Sequence, residues 1–320
     1  MNMYQKREMR KNKKMNEDVK SLPSTSINWY PGHMAKTRKQ ITEDLNKVDV
    51  ILELLDARIP TSSQNPDIAK IIQGKNKIVI LNKCDLADEK INKQWIEYYK
   101  KQNIIAVLVN ANQGIGIKEV IQNIEKLGRE KKQKNAEKGR VGTSIKVMIL
   151  GIPNVGKSSI INRFTNKVSA QVGNKPGVTK QKQWVKVSND IELLDTPGVL
   201  WPKFQDEKVA LNLAITGTIK EEILEKTEIA YYLLKELLQN HMEKVLERYK
   251  LSKEEVKEIL ENENQMENEN IMEIMQLIGK KRGAIVSGGK IDEEKTASIL
   301  LEDFRSAKIG RISLEKPQIK

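Results

Sequence analysis

The feature that most restricts this chain is Gly151-Ile152-Pro153-Asn154-Val155-Gly156-Lys157-Ser158, which directly follows the apolar run Lys146–Leu150. It fits the pattern GxxxxGK[ST], in which a strand ends, the backbone turns tightly and a helix begins. That construction belongs to α/β sheets, where phosphate sites open at the C-terminal edges of parallel strands. Glycines let successive N–H groups wrap around a phosphate at a helix N-terminus. In that setting Lys157 bridges β- and γ-phosphates, the Ser158 hydroxyl holds Mg²⁺, and Val155, Gly156 and Ser159 belong to the same phosphate cradle. The alternative, a Gly-rich strand–helix turn that happens to carry a lysine, is weakened by the strand before it and the helix after it.

Apolar runs at Val50–Leu55, Lys77–Leu81, Ile104–Val109, Ile145–Leu150, Trp184–Val187 and Ile191–Leu194 read as strands. Helical spacing lies between them, at Ile41, Leu45 and Val48 and around Trp95 and Val120, which is the rhythm of a parallel sheet flanked by helices. After about residue 205 the strand signal fades into helical patterns such as Ala230, Leu233, Leu234, Leu237 and Leu238. The expected organisation is a basic arm over 1–26, an α/β nucleotide-binding domain over 27–205 and an all-helical domain over 206–320. Residues 126–146 carry eight Lys/Arg against two Asp/Glu, which reads as a basic linker or the exposed end of a helix. Residues 251–275 are acidic, and a solvated helix face explains them best.

Two more motifs complete a nucleotide site. Asp195-Thr196-Pro197-Gly198 ends the run Ile191–Leu194; there the carboxylate would orient a Mg²⁺-bound water and the Gly198 N–H would reach the γ-phosphate. Between it and the phosphate loop, Pro176-Gly177-Val178-Thr179 offers Thr179 to the same metal and phosphate. Asn82-Lys83-Cys84-Asp85 follows the run Lys77–Leu81. A carboxylate at Asp85 accepts two hydrogen bonds from guanine N1–H and N2–H₂, a pair that adenine does not present, so GTP and GDP are favoured over adenine nucleotides. Asn82 would brace this loop and the Lys83 stem would lie over the purine. Downstream, Asn110-Ala111-Asn112 places the Ala111 N–H for guanine O6. The order is base first and phosphate second, and a circular permutation of the sheet connections is its simplest explanation. It also runs the Asp195–Gly198 sensor almost directly into the helical domain.

Composition sets the partners. Lys and Arg number 56 against 43 Asp and Glu, a formal net charge of +13, which points to a polyanion and most simply to nucleic acid. A single cysteine, Cys84, excludes an internal disulfide, and two histidines leave no set for structural zinc. The N-terminal residues lack the apolar core of a signal peptide, and no run is long enough for a membrane helix. A soluble cytoplasmic chain is expected.

The residues just described, with Asn28-Trp29-Tyr30-Pro31-Gly32-His33-Met34-Ala35-Lys36, Leu55-Asp56-Ala57-Arg58-Ile59-Pro60, Lys281-Arg282-Gly283 and the stretches 287–297 and 300–315, resemble the circularly permuted GTPases of ribosome assembly. The resemblance is to the ribosome biogenesis GTPase A (YlqF) family, over about residue 27 to the end. It implies a GTPase that serves late maturation of the large (50S) ribosomal subunit, binds rRNA and ribosomal proteins as a monomer rather than DNA or membrane, and leaves after hydrolysis. Its helical domain would contribute to ribosome contact.

Ras-like enzymes orient the attacking water with a Gln just after the DxxG glycine; here Val199 and Leu200 follow. The resemblance points to His33 as the catalytic group, whereas residue type alone is equally served by a surface histidine in a Pro-Gly turn. Asn154 is similar to the Asn of potassium-stimulated GTPases, which implies K⁺ beside the phosphates and slow intrinsic hydrolysis. Arg58 reads either as a phosphate ligand or as half of a structural salt bridge. Trp29 and Tyr30 either pack the N-terminal segment or stack on RNA. His241 reads as a solvated helix residue.

Overall fold

The computed structural model describes residues 39–137, 144–165, 183–200, 206–219, 225–262 and 265–318. Six strands form one sheet: β1 (Val50–Asp56), β2 (Asn76–Asn82), β3 (Ile105–Val109), β4 (Ile145–Gly151), β5 (Gln183–Lys186) and β6 (Ile191–Asp195). Their spatial order is β3-β2-β1-β4-β6-β5. All neighbours run parallel except the edge pair β5–β6.

β1 lies in the middle and is buried along its whole length, as expected for a strand covered on both faces. The strand period of two divides its side chains. Ile51 joins Met148, Leu150 and Leu194 against Ile41, Leu45, Ile68 and Ile72, and Leu55 joins Val79 and Leu81 against Trp95 and Tyr99. These contacts come from helical residues 39–44, helix α1 (Pro66–Ile71) and helix α2 (Glu89–Lys101). On the opposite face Val50, Leu52 and Leu54 join Ile78, Ile80, Val147 and Ile149. That face is covered by α3 (Ile117–Glu137), through Val120 and Ile124, and by α4 (Lys157–Thr165), through Ile160, Ile161 and Phe164.

Local chemistry starts the helices. Asn65 accepts hydrogen bonds from the N–H groups of Asp67 and Ile68, with Pro66 in the first turn. Asp88 caps α2 through Lys90 and Ile91. The basic stretch that begins at residue 126 continues α3 as far as Glu137.

From residue 206 the described chain is helical: α5 (Glu207–Ile215), α6 (Lys226–Tyr249), α7 (Lys253–Leu260), α8 (Glu267–Lys281) and α9 (Glu293–Arg305). α6 kinks at half-buried His241, whose backbone leaves helical geometry (φ −145°, ψ 30°). Leu233 and Leu237 of α6, Ile274 and Ile278 of α8, and Leu300, Leu301 and Phe304 of α9 share a core that is continuous with one face of the sheet. The acidic face of α7 is exposed. After α9 the chain turns back in extended form, and Ile309, Ile312 and Leu314 are buried in the same core.

Candidate active site

The sheet has its topological switch point between β1 and β4. The chain moves from β1 outward through β2 to β3, then returns to lay β4 on the other side of β1. Ligands in open α/β sheets bind beyond the strand C-termini at such a point. Residues 151–158 leave β4, 195–198 leave β6, 82–85 leave β2 and 110–112 leave β3. Four motifs spread over more than a hundred residues therefore meet on one edge.

The phosphate loop is tightly built. Ile152, Pro153, Val155 and Lys157 are buried, whereas Asn154, Gly156, Ser158 and Ser159 are half-buried. Gly156 has φ +99°, and a Cβ there would lie 2.3 Å from Asn82 Nδ2. A glycine is required both for this backbone and for the approach of the guanine-motif asparagine. Lys157 Nζ donates to the carbonyls of Gly151 (3.2 Å) and Ile152 (3.1 Å). Burial pushes its pKa down to about 8, against the pull of Asp195.

Asp195 is 1% exposed. Burial raises its carboxyl to about 6, opposed by the Lys157 charge. Among the described residues neither oxygen has a partner at full hydrogen-bond geometry, although the Gln183 side chain of β5 lies close enough to pull the carboxyl pKa down; a buried carboxylate this weakly engaged could serve a cation or its water. Thr196 fixes the next residue by donating from Oγ1 to Ile149 O at 2.6 Å. At Gly198 an added Cβ would meet Lys157 Nζ and Pro153 N, each at 2.9 Å, so this backbone lies directly against the phosphate loop. Val199 donates its N–H to Gly151 O (3.3 Å), and its carbonyl accepts from Asn65 Nδ2 (2.9 Å). Val199 and Leu200 are buried, so the side chains that replace the usual Gln face the core.

Asn82 joins the base loops to the phosphate loop. Its Nδ2 donates to Val155 O at 2.7 Å, and its Oδ1 accepts from Ala111 N at 3.2 Å. The Ala111 N–H, assigned from the sequence to guanine O6, thus donates to Asn82. Asn110 is buried, with Oδ1 accepting from Gln113 N (3.1 Å) and Nδ2 without a partner among the described residues. Asp85 is half-buried at the mouth of the same edge.

Lys83 adopts φ +59° and pairs with Asp56 Oδ2 at 3.0 Å. Burial holds its pKa below the ordinary lysine range. Arg58 donates to the same carboxylate from Nε (2.9 Å) and Nη2 (2.7 Å) and lies over the Phe304 ring at 5.5 Å. It is therefore half of a buried salt bridge, and its charge is spent beneath the guanine loop.

One contributor, Arg163, carries no sequence signal, and Asn154, named from the motif, is held by a contact the sequence does not show. Arg163 on α4 donates to Ala111 O at 2.8 Å and also to Asn112 O, and so supports the base loop from the helix that follows the phosphate loop. Asn154, at φ +59°, donates from Nδ2 to Gly217 O at 3.0 Å, which ties the phosphate loop to the turn after α5. His33, Thr179, Trp29 and Tyr30 lie outside the described residues.

Comparison with known proteins agrees with this geometry. The family model "50S ribosome-binding GTPase" matches residues 146–276. Ribosome biogenesis GTPase A of Bacillus cereus is 45% identical over 292 residues, covering 91% of this chain and 94% of that protein. Among solved structures, GNP-bound YlqF from T. maritima superposes with a TM-score of 0.59 at 26% identity, over 89% of this chain and all of that one. The GDP-bound structure of TM YlqF gives a TM-score of 0.61 at 25% identity, over 88% of this chain and all of that one. A permuted sheet with phosphate and guanine motifs on one edge, followed by a helical region, is thus shared over nearly the full length, and this chain is a GTP-hydrolysing member of the ribosome biogenesis GTPase A family.

Proposed function

We propose that this GTPase acts as a switch in late assembly of the large (50S) ribosomal subunit, binding rRNA in one nucleotide state and leaving in the other. The observation that carries the reading is its membership of a family named for ribosome biogenesis, matched by a model described as 50S ribosome-binding. The net charge of +13 supports an RNA partner, since neutralising phosphates makes binding strong and salt-dependent. No helix among the described residues is long and apolar enough to cross a membrane.

Within the site, Asp85 reads the guanine N1–H and N2–H₂. The phosphate loop from Asn154 to Ser159 wraps the phosphates, and Lys157 leaves its two carbonyl contacts to neutralise them. The residues fit Mg²⁺: Ser158 offers a half-buried hydroxyl, and Asp195 offers buried oxygens with no fully formed hydrogen bond among the described residues. Bound there, Mg²⁺ supplies positive charge to the β- and γ-phosphate oxygens. The Gly198 N–H follows the γ-phosphate, Thr179 closes over it, and His33 positions the water. Asn154 uses the donor end of its amide on Gly217, which leaves the acceptor end for K⁺.

GTP turnover measured in KCl and in NaCl, with large subunits, small subunits or neither, tests this. Stimulation by large subunits alone is expected, with faster turnover in KCl. Stimulation by small subunits alone, or GTP binding without stimulation by either particle, would refute the large-subunit switch and leave a different particle or a scaffold.

A further inference from the structure

The extended segment after α9 makes an unexpected set of contacts. Arg311 donates from Nη2 to Cys84 O (3.0 Å) and from Nε to Ala87 O (2.9 Å). These two carbonyls stand on either side of Asp85. The next residues continue along the same loop: Ile312 N donates to Leu86 O at 3.1 Å, and Ser313 Oγ accepts from Asp88 N at 3.1 Å. Four consecutive hydrogen bonds thus follow the backbone from residue 84 to residue 88. Cys84 O also accepts from Asn92 Nδ2 of α2 (3.0 Å), so the loop is gripped by its own helix and by a segment more than two hundred residues away.

The far side of this segment is anchored too. Leu314 N donates to Arg58 O at 2.9 Å. The Glu315 carboxylate accepts from Thr61 N (2.7 Å), Ser62 N (3.0 Å) and Asn212 Nδ2 (3.0 Å), and from Ser62 Oγ. Lys244 Nζ donates to Arg311 O at 2.7 Å. Ile312, Ser313 and Leu314 are buried, so the guanidinium of Arg311 projects from a fixed backbone.

We propose that residues 311–313 are the positioning element for base specificity, with Arg311 holding the backbone on both sides of Asp85 so that its carboxylate meets both guanine N1–H and N2–H₂. The inference rests on the reading of Asp85 as the guanine reader. A carboxylate must be held within a few tenths of an ångström to accept two hydrogen bonds from one edge. A loop released on one side keeps the N1–H bond and loses the N2–H₂ bond first. Guanine then loses its advantage over hypoxanthine, which lacks the 2-amino group.

The test is the affinity of the full chain for GDP and IDP, with kcat and KM for GTP, in wild type, Arg311→Ala, Arg311→Lys and Asp85→Asn. The Arg311 side chain is 44% exposed, so its truncation opens to solvent rather than leaving a buried cavity. Arg311→Ala is expected to lower the GDP-to-IDP affinity ratio by about tenfold, the worth of one hydrogen bond to a charged group. KM for GTP rises while kcat at saturation holds. Arg311→Lys recovers only part of the ratio, because an ammonium cannot fork to two carbonyls. A ratio within about twofold of wild type in Arg311→Ala, with only thermal stability reduced, would overturn the proposal and leave the segment a structural tie. Asp85→Asn separates that failure from failure of the underlying reading: if it spares guanine affinity, Asp85 does not read the base at all.

Discussion

Replacing Asp56 by Asn asks whether the charge cluster beneath the guanine loop holds the fold together. Asp56 is 0% exposed and Arg58 1%. The carboxylate accepts four hydrogen bonds, from Arg58 N (3.0 Å), Nε (2.9 Å) and Nη2 (2.7 Å) and from Lys83 Nζ (3.0 Å). Asparagine keeps the volume and removes the charge, which leaves a buried guanidinium and a partly buried ammonium facing one another. Breaking a buried pair from one side costs about 3–5 kcal/mol. Urea unfolding of the nucleotide-free protein at pH 7, followed by far-UV circular dichroism, measures it. Adding Arg58→Met should recover at least about 2 kcal/mol, because an apolar side chain of similar length needs no partner. The acid limb gives a second readout. Burial alone would raise the Asp56 carboxyl, but the charges of Arg58 and then Lys83 hold it well below its ordinary 3.8. The unfolded chain then takes up this proton at a higher pH than the native one. The stability Asp56 supplies is complete above the ordinary carboxylate range and drains away as pH falls below it. Asp56→Asn should flatten that limb. A loss under about 1 kcal/mol at pH 7, the cost of an exposed pair, would refute the reasoning.

Three further substitutions probe other links. Asn82→Ala removes the buried bonds to Val155 O and Ala111 N; it should cost about 2–4 kcal/mol in urea unfolding and weaken GDP and GTP alike in fluorescent-nucleotide titrations. Gly198→Ala sets a Cβ 2.9 Å from Lys157 Nζ and Pro153 N; single-turnover assays should show hydrolysis falling by about tenfold or more while GDP affinity changes less. Gly128→Ala sets a Cβ 2.3 Å from Ile145 Cδ1, far from the nucleotide loops; thermal unfolding should fall by the equivalent of about 1–3 kcal/mol with unchanged kcat.

What the sequence revealed and what it withheld divide along physical lines. The strands were readable because a strand buried on both faces needs a nearly continuous apolar run, and Val50–Leu55 is one but for Glu53, whose buried charge is met by Lys77 at 2.8 Å. The placement of the phosphate-loop and NKCD segments was readable because each is made by neighbours in sequence: residues 151–158 follow β4 and lead into α4, and Asp85 lies just beyond the end of β2. Ala111 shows the limit. Its N–H lies in the expected loop, yet its partner is a side chain 29 residues earlier. Arg163 supports the same loop from α4, 52 residues beyond Ala111, and the Glu315 carboxylate caps Thr61 from 254 residues away. Such contacts place no demand on local sequence, so a single lysine-rich and arginine-rich chain offers too many candidates to choose among.

The permutation gives those distant contacts a purpose. When base recognition comes first in the chain, the guanine loop between β2 and α2 is removed from whatever follows the phosphate sensor. Here the chain returns to it. Arg305 on α9 donates to Ile215 O and Ala214 O (both 2.8 Å), which fixes the turn whose Gly217 carbonyl holds Asn154. Arg311, a few residues on, holds the carbonyls around Asp85. One short stretch of chain, leaving one helix, thus touches both the support of the phosphate loop and the base loop. The Val199 carbonyl on Asn65 and the Glu315 carboxylate on Ser62 bring the residue after Gly198 and the same stretch to the β1–α1 loop, three positions apart. If residues 195–198 and 82–85 hold the γ-phosphate and the base as proposed, a displacement of α9 would disturb the supports of both, and by linkage a nucleotide that tightens either would resist that displacement by the same free energy.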